Sequence, residues 1–324
     1  MSNSDNQNNL DNNEDEFLYE FLERRPTVKF FYALFVIFAC IFGLLANSLI
    51  IYLKLRKFKN RSSFDLFIVN IAIGMNLLSI RFILIMIEET THDIVNIPLC
   101  YSTRLSVDVA TPIIITTLLI MIIFIKYNPN VKKETELKVI IAISIYSLIL
   151  ALPVYNMRIL TIKSWNVPHK ICFLFFNDDD DHIKFLLRLW ISLGFKIFLP
   201  MIIFIIFFIT LKFNFTIGQY RNYWIYSIVI SVYYFIFSLA SILTPLISLH
   251  FKLDIGSKIF VYFSFNMLCF IVALNPITLW HFDRDFSQET IEYIKYKLQN
   301  NQRNEGFNEI VFDEKNMQNV NLNC

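Results

Sequence analysis

Glycine, cysteine and charge are all scarce in this 324-residue chain: six Gly, five Cys, and 17% of residues charged. With a net charge of +2 and its Lys and Arg gathered into short runs, the chain has no basic face of the kind nucleic acid binding requires. Six glycines also leave little material for two matched halves with Gly-broken helices, the usual build of a secondary transporter. The cysteines cannot form a disulfide scaffold: Cys40 and Cys269 sit inside apolar stretches, Cys324 ends the chain, and Cys100 and Cys172 flank loops. His92, His169, His250 and His281 are scattered, with no pair at helical ligand spacing, so no metal is expected. Paired acids, clustered histidines and a nucleophile elbow are all missing from the apolar runs, so neither catalysis nor a cofactor is expected. No signal peptide precedes the first apolar run, which is expected to serve as the insertion signal itself.

What the chain has in excess is apolar and aromatic surface. Apolar residues make up 56% of it, with 34 Phe and 15 Tyr, and mean hydropathy is positive, a bias that belongs in a lipid bilayer. A spanning helix needs about 20 mainly apolar residues, because every backbone polar group must be satisfied inside hydrocarbon. Seven segments meet that length: Phe30–Leu53, Phe64–Ile87, Thr103–Ile125, Leu137–Tyr155, Phe185–Leu211, Trp224–Ser248 and Ile259–Trp280. They are too long for buried strands.

Basic residues orient the spans. Lys54, Arg56, Lys57, Lys59 and Arg61 crowd the first connection, and Lys126, Lys132, Lys133 and Lys138 the third, which predicts both to be cytoplasmic. Glu88, Glu89 and Asp93 in the second connection and Asp178 to Asp181 in the fourth lie on the other side. The N-terminus is then extracellular, although Arg24, Arg25 and Lys29 before the first span pull the other way. Residues 1–28, rich in Asn, Asp and Glu, read as a disordered extracellular tail, and 29–282 as the seven-span domain. Over 283–298, Phe286, Thr290, Ile294 and Leu298 recur every four residues behind a capping Asp283, which predicts an amphipathic helix on the inner membrane surface. Residues 299–324 read as a polar cytoplasmic tail with no lipidation signal. The expected fold class is therefore an all-α membrane protein, a seven-transmembrane helix bundle followed by a short surface helix.

Several motifs occur in order along these spans. Gly43-Leu-Leu-Ala-Asn47 in the first resembles the Gly and Asn of helix one in rhodopsin-like G-protein-coupled receptors. Val69-Asn-Ile-Ala-Ile-Gly-Met75-Asn76-Leu-Leu resembles their Asn-Leu-Ala-x-Ala-Asp-Leu-Leu pattern, matching at Asn70 and Ala72. Leu274-Asn275-Pro276-Ile-Thr-Leu279, followed by Asp285-Phe286, is similar to Asn-Pro-x-x-Tyr with its trailing Phe. Pro200 matches the proline of helix five, and Cys100 with Cys172 matches the disulfide of that class. The resemblance runs from Phe30 to Leu298. Departures fall on the switch residues: Met75 replaces the helix-two Asp, Ile125-Lys126-Tyr127 the Asp-Arg-Tyr triplet, and Leu279 the final Tyr, with no Trp-x-Pro in the sixth span. A recognisable frame with eroded switches resembles the nematode chemosensory receptors.

Ionisable residues at membrane depth face the bundle interior and seek partners. Arg81 in the second span, Asp108 in the third, and Arg188 and Lys196 in the fifth fit that description. By resemblance, Asp108 stands where amine receptors hold the ligand's counter-ion. Read as an ordinary helix pair, it bonds Arg104 at i−4, and in a third arrangement Lys196 crosses to it. A Lys196 left alone would suit a ligand carboxylate, so the ligand's sign stays open. Asn47, Asn76 and Asn275 would gather in the inner half, where the class binds sodium around the acid that Met75 replaces; without that charge sodium is not expected. Lys126 keeps the positive charge of the family triplet, but Ile125 removes its neighbouring acid and no acid stands near Gln219 to Tyr223, so the resting ionic lock is absent.

The resemblance implies a multi-pass receptor in the plasma membrane that senses an extracellular small molecule or peptide and signals to a heterotrimeric G protein. Ligand contacts are expected at Asp108, Arg104, Lys196 and Arg81, and coupling through Lys126, Tyr127, Asn275, Pro276, Asn47 and Asn76. The competing expectation is a secondary transporter or a polytopic membrane protein that does not signal.

Overall fold

The computed structural model describes residues 26–56, 64–90, 97–151, 157–164, 167–174, 194, 198–210, 220–250, 269–297 and 299. Its helices are α1 (Pro26–Arg56), α2 (Asp65–Thr90), α3 (Ile97–Tyr127), α4 (Lys133–Ala151), α5 (Leu199–Thr210), α6 (Arg221–His250) and α7 (Cys269–Phe282). After one non-helical residue at Asp283, α8 covers 284–297. Charges sit where helix dipoles favour them: Asp65 opens α2, Glu134 and Glu136 open α4, and Lys54 and Arg56 close α1.

Four stretches are long and apolar enough to cross a membrane: Ala33–Arg56, Asp65–Leu84, Val109–Tyr127 and Arg221–Leu239. The described part of α7 is apolar but shorter. Large apolar side chains point outward from these helices, Phe38 at 69% and Leu45 at 66% exposure among them. Such a surface is stable against lipid rather than water, and the chain is a helical membrane protein.

One hairpin departs from the expected all-helical build. β1 (Met157–Ser164) pairs antiparallel with β2 (Val167–Leu174), Ser164 opposite Val167, in the connection after α4. Only Trp165 and Asn166 separate the strands, and the strands are rich in β-branched residues (Ile159, Thr161, Ile162, Val167, Ile171), which favour extended backbone. A connection has no helical period to maintain, so β-propensity decides there. β1 lies against α3.

α2 and α3 form the centre. α2 packs on α1, α3, α4 and α7, and α3 on α2, α4, α5 and α6; α7 closes the arrangement against α1 and α6. Ile71, Met75 and Leu78 of α2 and Ile114, Ile115 and Leu118 of α3 belong to one buried apolar cluster. Gly74 permits the close approach, since a Cβ there would lie 2.7 Å from Ile114 Cγ1. Tyr226, Ile230 and Tyr234 extend the cluster along α6.

Candidate functional site

Among the described residues, three polar groups stand out in the apolar interior. The first lies where α1 ends and α2 begins. Lys54 Nζ is 2.9 Å from Asp65 Oδ1 and 2.8 Å from Asp283 Oδ2, with all three side chains nearly inaccessible to water. Asp283 uses its other oxygen, Oδ1, to accept the Phe286 N–H at 3.1 Å, capping α8. One lysine thus joins α1, the start of α2 and the α7–α8 corner.

Beside it, Phe64 adopts φ 81°, a left-handed conformation that is strained for a bulky side chain. Its backbone N–H donates to Glu136 Oε1 of α4, which is 1% exposed. The Phe64 ring meets Tyr220 edge-on at 5.5 Å, and the Tyr220 hydroxyl donates to Asn130 Oδ1 at 3.0 Å. These contacts hold the start of α6 to α2 and to the turn between α3 and α4.

The second group lies deeper, at the α1–α7 contact. Pro276 has no N–H, so the carbonyl of Val272, four residues back in α7, loses its helical partner. Asn47 of α1 supplies the replacement: its Nδ2 donates to Val272 O at 3.0 Å and to Gly43 O at 2.7 Å. Asn275 Nδ2 donates to Asn47 Oδ1 at 2.6 Å, and the Tyr226 hydroxyl of α6 donates to Asn275 Oδ1 at 2.7 Å. Gly43 makes this geometry possible, because a Cβ there would collide with Val272 Cγ1 and lie 3.0 Å from the Val272 carbonyl carbon. Asn47 and Asn275 are completely buried, and each depends on the other helix for part of its hydrogen bonding.

Asn76 does not join them. Its Nδ2 donates instead to Ser48 Oγ at 3.2 Å, because successive residues of α1 point about 100° apart and Ser48 faces α2 where Asn47 faces α7. The family-like Asn70 donates to Thr117 Oγ1 at 2.8 Å and ties α2 to α3, while Met75 fills the acid's expected position as buried apolar volume.

The third group lies toward the opposite end of the bundle, about 24 Å along α2 from Asp65 at 1.5 Å per residue. Arg81 is 9% exposed, with its guanidinium 5.5 Å from the Phe82 ring centroid. Tyr234 of α6, within electrostatic reach of Arg81, sets its hydroxyl beside Thr111 of α3 and Ser238 of α6. Among the described residues, three helices therefore contribute to a buried polar patch that includes the Arg81 cation.

The remaining expectations divide by location. Lys126 is half-buried with its ammonium 5.0 Å above the ring of Tyr127, itself 68% exposed, and Ile125 turns into the core. Arg104 and Asp108 fall within α3, and Cys100 and Cys172 within α3 and β2, but their side chains lie outside the described set; Lys196 and Arg188 lie outside the described residues altogether. Among the described residues no cluster of His, Cys, Asp or Glu has the makings of a metal site. Sequence reasoning missed Lys54 as a buried hub and the role of Glu136. For Lys54 a signal existed: a lysine inside the last turn of an apolar span, with Asp65 at the start of the next.

No protein-family model matches the chain, and no curated protein is significantly similar to it.

Proposed function

We propose that the chain is a seven-span plasma-membrane receptor of the rhodopsin-like kind, with its N-terminus outside, that passes ligand binding to a heterotrimeric G protein. The observation that carries this reading is the joint action of Gly43, Asn47, Asn275, Pro276 and Tyr226. Four of these five residues belong to two of the motifs that carry the family resemblance, and they work as one unit rather than as isolated amides in lipid. The neighbour relations of the helices support the same reading, with α3 central and α7 bridging α1 and α6.

The bundle then has two functional ends. Arg81, Thr111, Tyr234 and Ser238, with Asp108 and Lys196 from sequence, form the ligand end; Lys126, Tyr127 and the Lys54 cluster form the end that meets the G protein. Between them the Asn47–Asn275–Tyr226 chain couples α6 to the α1–α7 pair. A ligand acts only by binding two packings of these helices with different affinity. Phe64 and Tyr220 restrain the inner end of α6 in place of the missing ionic lock.

The test is a screen of cationic and anionic small molecules on cells expressing the full chain with a promiscuous G protein, repeated with Asp108→Asn and Arg81→Gln. A ligand response that one of these substitutions abolishes supports the reading. Uptake of a labelled substrate with no G-protein response overturns it in favour of a transporter.

A further inference from the structure

Cys40 of α1 and Cys269 of α7 are both completely buried and both free thiols. They face each other across the α1–α7 contact, 229 residues apart, the same separation as Lys54 and Asp283. Their meeting follows from the packing of two parallel helices in constant register. Lys54 meets Asp283 at a separation of 229 residues, and Asn47 meets Asn275 at 228. Gly43 against Val272 and Cys40 against Cys269 continue that series one and two steps further along. The glycine sets the distance. Because a Cβ on Gly43 would lie only 3.0 Å from the Val272 carbonyl carbon, the helices run close enough for side chains as short as cysteine to approach one turn away.

Neither thiol takes part in the polar chain at Asn47. Two thiols facing each other across a helix pair have a chemistry that two alanines lack. We propose that Cys40 and Cys269 are an oxidisable pair that closes to a disulfide and staples α1 to α7. Both lie within apolar helices, about 21 Å along α1 from Lys54 at 1.5 Å per residue, so the oxidant that reaches them arrives through hydrocarbon. α1 packs chiefly on α2 and α7 and presents Phe38, Ile41 and Phe42 outward, so one helix separates the thiols from lipid. An acyl-chain hydroperoxide is the matching class of reagent.

The steps balance. One thiol sulfur attacks the terminal oxygen of the hydroperoxide, the O–O bond breaks, and the sulfur becomes a sulfenic acid while its proton goes to the departing lipid alkoxide, giving an alcohol. The second thiol sulfur attacks the sulfenic sulfur, the S–OH bond breaks, and its proton leaves with the hydroxyl as water. Two electrons pass in total from the thiol pair to the peroxide. The product binds α7, the helix that carries Asn275 and Pro276, covalently to α1. This inference stands on the α1–α7 packing alone and is independent of the receptor reading.

The test uses the full chain in lipid vesicles, treated with cumene hydroperoxide, denatured with N-ethylmaleimide present, and mapped by mass spectrometry. The expected result is a reducible peptide pair joining Cys40 to Cys269 that becomes the major form of both residues, with a thermal midpoint above that of the untreated protein. In Cys40→Ala the linked pair disappears and the midpoint no longer responds to the oxidant. Recovery of both cysteines as maleimide-labelled thiols, at doses that fully oxidise a lipid-anchored thiol in the same vesicles, overturns the proposal. So does conversion of either residue only to a sulfinic acid or to an intermolecular disulfide. The mapping of the wild-type chain decides the matter even if the variant fails to fold.

Discussion

If Asn47 exists to satisfy the carbonyl that Pro276 leaves open, substitutions at the two positions cannot act independently. Asn47→Ala strands two buried groups, the Val272 carbonyl and the Asn275 amide N–H, which now meet Asn47 at 3.0 and 2.6 Å. An unsatisfied buried polar group costs about 1–3 kcal/mol in general, and inter-helix hydrogen bonds in membranes cluster near 0.6–2 kcal/mol, so the single substitution should cost roughly 1–3 kcal/mol. Pro276→Ala restores a backbone N–H aimed at that same carbonyl. In that background Asn47→Ala strands only the Asn275 amide, and its cost should fall by about 1 kcal/mol. The assay is a double-mutant cycle on unfolding free energies measured by steric trapping in bicelles. A coupling near 1 kcal/mol stands clear of the 0.3–0.5 kcal/mol scatter of independent sites. Additivity within that scatter would refute the idea that the asparagine repairs the proline.

Other substitutions probe the remaining contacts. Lys54→Met should destabilise by about 3–5 kcal/mol, because it leaves Asp65 and Asp283 buried without their cation, whereas Asp283→Asn, which keeps an oxygen for the Phe286 N–H and leaves Lys54 paired with Asp65, should cost far less; equal losses in thermal melting would contradict the cluster geometry. Gly43→Leu should cost about 1–3 kcal/mol or abolish folding, since even a Cβ collides with Val272, and a wild-type melting curve would show that α1 and α7 do not approach so closely. Tyr226→Phe should cost about 1 kcal/mol by removing the donor 2.7 Å from Asn275 Oδ1, and the loss should vanish in an Asn275→Leu background.

How far these features can be read from sequence depends on their range. Apolar runs are local, so α1 and α6 lie where length and hydropathy place them: α1 spans Pro26–Arg56 against the expected Phe30–Leu53, and α6 Arg221–His250 against Trp224–Ser248. Helices overrun the apolar segments because charged ends such as Lys54 and Arg56 satisfy the dipole and continue the hydrogen-bond ladder past the hydrophobic limit. The hairpin is hard to read because its signal, β-branched residues around Trp165-Asn166, is short and sits in a connection with no span-length apolar run. Pairings between distant helices were the hardest. Asn47 with Asn275 is legible because both belong to ordered motifs, but only depth links Asn76 to them, and depth says nothing of which way a helix face turns. Lys54 read as a topology signal in a basic loop. Its burial against Asp65 and Asp283 depends on helix packing no local pattern encodes.

The number and direction of membrane crossings underlie all of the functional reading, and a glycosylation-reporter map of the full chain tests them most directly. With acceptor sites placed in turn at the N-terminus, in each connection and at the C-terminus, the N-terminal site and alternate connections should be modified and the C-terminal site should not. Modification at both termini, or at neither, would mean an even number of crossings and contradict the seven-span receptor.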